Sequence, residues 1–206
     1  MSMTIRQLAS RIYDRLFRGL RGFGRPVPAS VWDKDFADGK WAHLSDIAET
    51  TRYAIVHNYI VRCKSPASVL DIGCGTGVLR ERFSEAEVER YTGIDVSQEA
   101  VRTTLAKGFT RSAFVVANFD EYQPEGGYDV IVFNESIGYA SDPGETFDRY
   151  WKLLSAGGIC VVSLYDFDAR TRAGWKRIER MSQPRYSTRQ INEKGQAWDI
   201  KVFVKG

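Results

Sequence analysis

Apolar positions follow one rhythm at the N-terminus and another from residue 67 onward. Ile5, Leu8, Ile12, Leu16 and Leu20 are spaced three and four apart, which predicts an amphipathic helix over residues 4–20. Gly22-Phe23-Gly24-Arg25-Pro26-Val27-Pro28 ends it, since glycine and proline break the helical pattern. Trp32 to Lys40 reads as a short helical or irregular link, and Ser45 as the N-cap of a helix reaching about Arg62. From Ala67 short apolar runs alternate with helical stretches. Strands are predicted at 67–72, 90–95, 112–117, 128–134 and 158–165, and helices near 77–86, 97–107 and 144–154. The last of these helices carries Phe147, Trp151 and Leu154 on one face and should stop at Gly157-Gly158. Trp175, Ile178 and Met181 suggest one more helix, and 185–192 and 197–204 read as a hairpin joined through Glu193-Lys194-Gly195. Strands separated by helices imply an α/β fold, a mostly parallel sheet with helices on both faces.

Composition narrows the function more than the fold. At 206 residues, the chain is long enough for one sizeable core and short for two domains. The expected division is a basic amphipathic helix and linker at 1–30, then a single domain over 31–206. Residues 1–30 carry six arginines against Asp14 alone, a charge of +5, whereas the whole chain carries +3. A basic arm on a mildly acidic body is unlike a nucleic-acid enzyme, which spreads basic surface over its body. That arm admits three readings: docking or self-association through its aliphatic stripe, peripheral contact with an anionic membrane, or disorder. No apolar run approaches the ~20 residues of a membrane span, and no secretory signal is visible, so a cytoplasmic location is expected. Cys63, Cys74 and Cys160 lack metal-ligand spacing, and His43 and His57 are the only histidines, so no metal site is expected.

The densest chemical signal is Val69-Leu70-Asp71-Ile72-Gly73-Cys74-Gly75-Thr76-Gly77. A buried strand runs into three glycines at alternate positions, where the backbone can turn tightly and approach a ligand closely. The spacing is G-x-G-x-G rather than the G-x-G-x-x-G of dinucleotide sites, and no Lys-Ser or Lys-Thr pair follows as a P-loop requires. Tyr91-Thr92-Gly93-Ile94-Asp95 is a second strand ending in an acid, 22 residues beyond Gly73. A carboxylate there can accept hydrogen bonds from both hydroxyls of a ribose. An acid that merely opens the next helix is the plainer alternative.

These segments, with Tyr128 to Glu135 and Leu154-Ser155-Ala156-Gly157-Gly158, resemble the class I S-adenosylmethionine-dependent methyltransferases. The likeness covers about 65–165, and the terminal hairpin is consistent with that family's last two strands. It implies a Rossmann-like seven-stranded sheet, mostly parallel with an antiparallel final strand, and S-adenosylmethionine as cofactor. By the same resemblance Gly73, Cys74, Gly75 and Gly77 would line the methionine and ribose portion, and Asp71 would support the ammonium. Asp95 would hold the ribose hydroxyls, with Val96 beside it a further cofactor-binding residue, Asn118 and Phe119 would flank the adenine, and Asn134 would sit near the methionine end. The usual pattern of an acid and a small residue after strand three is replaced here by Asn118-Phe119-Asp120, so either Asn118 or Asp120 would reach the adenine amine.

Glu135 follows the fourth strand and is the foremost candidate for a general base, with Tyr139 close behind. The stretch 134–139 is similar to a nodulation N-methyltransferase and to methyltransferases of sugar nucleotides and surface polysaccharides. Residues 32–44 resemble the N-terminal lid of that group. There Trp41 could cover a sulfonium by a cation–π contact worth ~0.5–2 kcal/mol, Arg52 could pair with a methionine carboxylate, and His43 is a weaker candidate for the acceptor side. Acceptor contacts are expected from 30–55, the loop after strand four, and 166–188, where Arg170, Arg172, Lys176, Arg177 and Arg185 would meet phosphates or merely solvate a helix. The function expected is methyl transfer to an O or N atom of a small polar acceptor, plausibly a sugar or sugar nucleotide in polysaccharide biosynthesis. Two alternatives stand beside it: an NAD-dependent oxidoreductase, and a non-catalytic cofactor-binding partner protein.

Overall fold

The computed structural model describes residues 27–124 and 126–206. The helix expected over 4–20, its arginines and its proposed contacts lie outside the described residues. One seven-stranded sheet organises the rest: β1 Ala67–Ile72, β2 Val88–Asp95, β3 Ser112–Val116, β4 Tyr128–Asn134, β5 Leu154–Tyr165, β6 Tyr186–Ile191 and β7 Ala197–Val204. Their spatial order is β3-β2-β1-β4-β5-β7-β6. The first five pair in parallel, and β7 runs antiparallel to both β5 and β6, so the sheet has the expected single reversed strand. β1 is buried along its whole length, as a central parallel strand covered on both faces must be.

Among the described residues five helices surround it: α1 Ala29–Ala37, α2 Ile47–Cys63, α3 Gln98–Leu105, α4 Pro143–Trp151 and α5 Ala169–Met181. Two apolar clusters lie on opposite faces of the sheet. Tyr53, Val56 and Ile60 of α2 cover Val69, Val130, Val132, Val161 and Ile200. Phe147 and Tyr150 of α4, with Trp175 and Ile178 of α5, cover Leu70, Ile131, Phe133, Val162 and Phe203. Side-chain caps fix where three helices start: Ser97 accepts from the Ala100 amide, Asp142 from those of Gly144 and Glu145, and Asp168 from those of Arg170 and Thr171.

Several boundaries differ from the sequence reading. Residues 77–86 do not form a helix; only Arg80–Arg82 makes a single 3-10 turn. Gly77 holds φ +77, outside the right-handed region a helix needs. The Arg80 guanidinium is buried and donates to Ser112 Oγ, the carbonyls of Phe83 and Thr110, and Glu85, which pins the chain before a second turn can form. Asp46, not Ser45, occupies the N-cap position of α2, because Ala42–Ser45 is itself a 3-10 turn. α4 stops at Trp151, and Gly157-Gly158 lies inside β5, where a Cβ on Gly158 would lie 2.9 Å from the Ser155 carbonyl oxygen and 3.1 Å from that of Asp129. The expected boundary at residue 30 falls within α1.

Gly77 also has a packing role. A Cβ there would meet Thr104 Cγ2 at 2.7 Å, on the helix that backs the loop. Gly77→Ala is expected to lower unfolding free energy by about 1–3 kcal/mol. Urea denaturation of the two proteins checks this; an unchanged midpoint would contradict the close packing.

Candidate active site

A cavity of about 610 Å³ opens where β1, β2 and β4 end, the position at which open α/β sheets bind ligands. Asp71 is the penultimate residue of β1 and is 1% exposed. Its Oδ2 accepts from the Tyr91 hydroxyl at 2.6 Å, while Oδ1 is buried with no hydrogen-bond partner. Burial pushes this carboxyl up to about 7, against the pull of the Tyr91 hydrogen bond and with a push from Asp95. Tyr91 stays a neutral phenol, its pKa raised by burial and by Asp71.

The glycine loop turns against β4's continuation. Gly73 sits at φ +75, and a Cβ would lie 2.5 Å from Ser136 Cβ, so only glycine allows the two strand ends to close on each other. The loop's amides are consumed internally. Gly73 and Cys74 N–H both donate to the Ile94 carbonyl at 2.8 and 2.9 Å, and Gly77 N–H to the Cys74 carbonyl at 3.0 Å. Gly75 N–H donates to Asp95 Oδ2 at 2.9 Å. A phosphate cradle needs such amides free, so this loop does not supply the anion site of a dinucleotide fold. The Cys74 thiol, pushed well above its ordinary pKa by burial and flanking carboxylates, is inert filler in the cavity wall.

Asp95 ends β2 with Oδ2 on Gly75 and Oδ1 on the Ser97 amide at 2.9 Å. Each oxygen keeps a lone pair for a ligand hydroxyl. Burial raises its pKa against those amide bonds. The loop is further tied from outside: Asp33 of α1 accepts from Ser97 Oγ at 2.8 Å and from the Glu99 amide at 3.2 Å. Those two bonds hold the Asp33 carboxyl below its usual range.

α1 thereby bridges the mouth of the cavity. Trp32 meets Tyr139 edge-on at 4.8 Å, and Trp41 packs beside Trp32 and Phe36 at 5.7 and 6.2 Å. The Phe36 ring lies over Gly75, 3.6 Å from where its Cβ would be. No residue of α1 is buried, so few contacts hold it there.

The opposite wall is polar. Arg52, buried, donates twice to Glu49 Oε2 and to Asn134 Oδ1 at 2.6 Å. Its pKa is raised, with desolvation opposed by the Glu135 and Glu49 charges and Tyr53. Glu135 holds φ +64, rare outside glycine, and a carboxylate locked by Ser163 Oγ at 2.7 Å and the Tyr165 amide at 2.9 Å. Burial raises its pKa while Arg52 and those two donors oppose the rise. His43 is exposed at the rim, with Nδ1 2.9 Å from the Lys40 carbonyl oxygen.

Of the residues singled out from the sequence, Trp41, His43, Arg52, Asp71, Gly73, Cys74, Gly75, Asp95, Val96, Phe119, Asn134, Glu135 and Tyr139 line this one cavity. Gly77 does not; it packs on Thr104. Neither Asn118 nor Asp120 lines it. Asn118 is exposed and caps the Asp120 amide with its own Oδ1, while Asp120 binds Ser141 and Thr146. Nor do the arginines of 166–188. Arg170, Arg172 and Arg177 instead pair with Asp168, Asp166 and Asp142. The wall also contains Tyr165, Asn192, Lys194, Gln196 and Trp198, which sequence reasoning passed over. The hairpin turn that the last four of these form or flank was visible, but its place beside the strand ends follows from the reversed β7. Five acids, Asp46, Glu49, Asp71, Asp95 and Glu135, face two cations, Arg52 and Lys194, so the lining suits a cationic ligand. Among the described residues no group of His, Cys, Asp and Glu could hold a metal ion, and no helix is long and apolar enough to cross a membrane.

Comparison with known proteins gives a coherent picture. A family model described as a methyltransferase domain matches residues 45–200. Trans-aconitate 2-methyltransferase of Escherichia coli O1:K1 / APEC is 33% identical over 128 residues, covering 60% of this chain and 49% of that protein. The ubiquinone biosynthesis O-methyltransferase of Psychrobacter cryohalolentis is 29% identical over 102 residues, covering 46% and 39%. The chain thus spans about half or less of the length of these relatives. Among solved structures, N-methyltransferase NodS from Bradyrhizobium japonicum WM9, bound to S-adenosylhomocysteine, superposes with a TM-score of 0.69 at 19% identity, covering 79% of this chain and 90% of that one. The 1,6-didemethyltoxoflavin-N1-methyltransferase of Burkholderia thailandensis gives 0.71 at 21%, covering 86% of each. At these identities the likeness is one of fold.

The buried Asp71 carboxyl has a measurable signature. Its pKa is raised on folding, so the stability it contributes is full below about pH 4 and is lost as pH rises through about 7. Asp71→Asn cannot titrate, so the stability of wild type relative to this variant should fall across that window. Denaturant melts at matched pH values check it; a difference independent of pH would show that Asp71 ionises alike in both states.

Proposed function

The chain belongs to the methyltransferase-domain family, and from that premise we propose that it transfers a methyl group from S-adenosylmethionine to an oxygen or nitrogen of a small polar acceptor. The single observation that carries this reading is the buried, unpartnered Asp71 Oδ1 in an acid-rich cavity beside a second carboxylate with free lone pairs. Those two groups suit an α-ammonium and a ribose diol. A nicotinamide dinucleotide, whose pyrophosphate would need the loop amides already spent on Ile94 and Asp95, suits them less.

On this reading Asp71 takes the ammonium, Asp95 the ribose hydroxyls, Gly73, Cys74 and Gly75 the methionine and ribose portion, and Val96 and Phe119 the adenine. Arg52, oriented by Glu49 and Asn134, supplies the positive end for the methionine carboxylate. When bound, the cofactor supplies a methyl group on an already activated sulfonium. The chain's own task is then alignment and water exclusion, contributions that reach ~7–11 kcal/mol in well-oriented systems. The α1 lid, with the face of Trp41, excludes water. Glu135 takes the proton of a hydroxyl acceptor; Ser163 and the Tyr165 amide fix its carboxylate, and burial raises its basicity. Tyr139 and His43 stand at the acceptor side. Flat faces of Trp32, Tyr165 and Trp198 beside the polar Asn192, Lys194 and Gln196 support a hydroxylated ring as acceptor, hence a sugar or sugar nucleotide of polysaccharide biosynthesis. The relatives named for trans-aconitate and ubiquinone make carboxylates and phenols the comparison substrates.

Four outcomes are expected. A screen with labelled S-adenosylmethionine should transfer label to a sugar nucleotide in preference to carboxylates or phenols; transfer only to the latter would overturn the acceptor assignment. Asp95→Ala should abolish S-adenosylhomocysteine binding by calorimetry, and near-normal affinity would remove the ribose role. Because an ammonium beside Asp71 favours its ionised form, wild-type affinity should rise with pH up to about 7, with protons released on binding below that value. Glu135→Gln should still bind S-adenosylhomocysteine while lowering kcat about 100-fold and flattening the acid limb of the pH profile.

A further inference from the structure

The β6–β7 hairpin sends its turn, residues 192–196, past the edge of the sheet where the parallel strands end. Ile191 pairs with Ala197, and Trp198 with Tyr165, the last residue of β5. Asn192, Lys194 and Gln196 of this turn line the cavity. Asn192 organises the turn. Its Oδ1 accepts from the Lys194 and Gln196 amides, both at 3.0 Å, and its carbonyl from the Gly195 amide at 2.9 Å. Its Nδ2 donates to Gln196 Oε1 at 2.8 Å, and its amide to the Gln196 carbonyl at 3.0 Å. Gly195, at φ +73, lets the chain reverse.

These bonds occupy the acceptors of both amide side chains and leave donors over. Gln196 keeps its Nε2 hydrogens, and the Lys194 ammonium keeps three more. Among the described residues no ion pair or hydrogen bond engages that ammonium. The cations on the hairpin's strands differ: Arg189 meets Asp166 and Asp199, and Lys201 meets Glu179. Glu193, the turn's one acid, is exposed and outside the lining. Sheet order also separates the turn from Asp71 and Asp95. With neighbouring strands ~4.8 Å apart, β7 lies about 14 Å from β1 and about 10 Å from β4, whose end leads into Glu135. Tyr165, on the strand between β4 and β7, meets the Trp198 ring at 5.2 Å.

We propose that the 192–196 turn is an oxyanion subsite for the methyl acceptor: Lys194 and the Gln196 Nε2 hydrogens take a phosphate or carboxylate that the acceptor carries away from the atom receiving the methyl group. This rests on the methyltransferase reading above and adds the acceptor's charge and the residues that read it. An anion beside Glu135 would be repelled by that carboxylate, whereas one at the turn, two strands further on, meets donors. A lysine on its flexible four-carbon stem can follow an acceptor group of either geometry.

The test uses the S-adenosylhomocysteine complex, in which Arg52 is already occupied on the reading above. By calorimetry this complex should bind glucose 1-phosphate or citrate at least tenfold more tightly than glucose, and added salt should weaken the anion but not glucose. Preference between the two anions tells a phosphorylated acceptor from a carboxylated one, and either preference supports the subsite. Lys194→Gln should weaken the preferred anion about tenfold, and Lys194→Arg should restore most of that loss. Both variants should bind S-adenosylhomocysteine as wild type does, and with an anionic acceptor Lys194→Gln should raise KM far more than it lowers kcat. Glucose binding as tightly as either anion, neither anion binding, or equal anion affinity in wild type and Lys194→Gln overturns the proposal. So does weakened S-adenosylhomocysteine binding in Lys194→Gln, which would assign the lysine to the cofactor. Failure of wild type to bind S-adenosylhomocysteine at all would instead overturn the cofactor reading, and this inference with it.

Discussion

Burying a carboxyl group at the end of a central strand is costly unless something offsets it, and the arrangement around Asp71 shows how little does so within the chain. One oxygen has the Tyr91 hydroxyl; the other has nothing. Desolvation of an isolated carboxylate is met by protonation, which is why the group holds its proton to about pH 7. The position cannot be relieved by movement, because β1 is hydrogen-bonded on both sides, to β2 and to β4. Gly73 then has to pass against Ser136, and the loop amides have to turn inward on Ile94 and Asp95. The cavity is therefore anionic because the rigid part of the sheet leaves acids there and spends its amide donors on itself. A ligand that brings a positive charge supplies what the fold lacks.

Much of this was legible in the sequence, for physical reasons that differ by element. Strands buried on both faces write themselves as unbroken apolar runs, so Val69 to Ile72 and Val130 to Phe133 stand out, and the acids and glycines at their ends are conspicuous against them. Hence Asp71, Gly73, Gly75, Asp95 and Glu135 could be placed at one edge of the sheet from order alone. What misled was local continuity. Residues 77–86 have helical composition, but the left-handed Gly77 and the buried Arg80 network stop the helix after one turn. Neither the φ angle of a glycine nor the burial of an arginine shows in a pattern of apolar spacing. Asn118 and Asp120 illustrate the same limit: chain order puts them after β3, whereas hydrogen bonds to their own turn and to the β4–α4 segment direct them away. Asn192, Lys194, Gln196 and Trp198 became wall residues because β7 enters the sheet antiparallel between β5 and β6, a long-range fact that local sequence does not carry.

The two ends of the cavity are held with different strength. The inner end is built from strand termini whose hydrogen bonds and apolar packing belong to the core. The outer end is α1 and the 3-10 turn after it, which bury no residue of their own. Among the described residues α1 is attached through Asp33 to the start of α3 on one lip and through Trp32 to Tyr139 on the other. Elements with few buried contacts open at low free energy. A cavity needing entry, closure and release benefits from this division: the groups that must be positioned to a fraction of an ångström sit on the sheet, and the cover sits on the loosely held helix.

That division also makes the Asp33–Ser97 contact more than an attachment. Ser97 donates its amide to Asp95 Oδ1 and its hydroxyl to Asp33, so one residue joins the carboxylate proposed for the ribose to the helix that covers it. A ligand that orders the Asp95 loop thereby stabilises the N-terminus of α3, to which α1 is bonded, and a docked α1 holds the loop in the conformation the ligand needs. By linkage the two effects must be equal: whatever the docked helix adds to cofactor affinity, the cofactor adds to docking. A filled inner end would then strengthen the contacts that α1 already makes with Tyr139 and the glycine loop, which favours cofactor first and acceptor second. Order of binding would follow here from a shared serine, with no separate moving part.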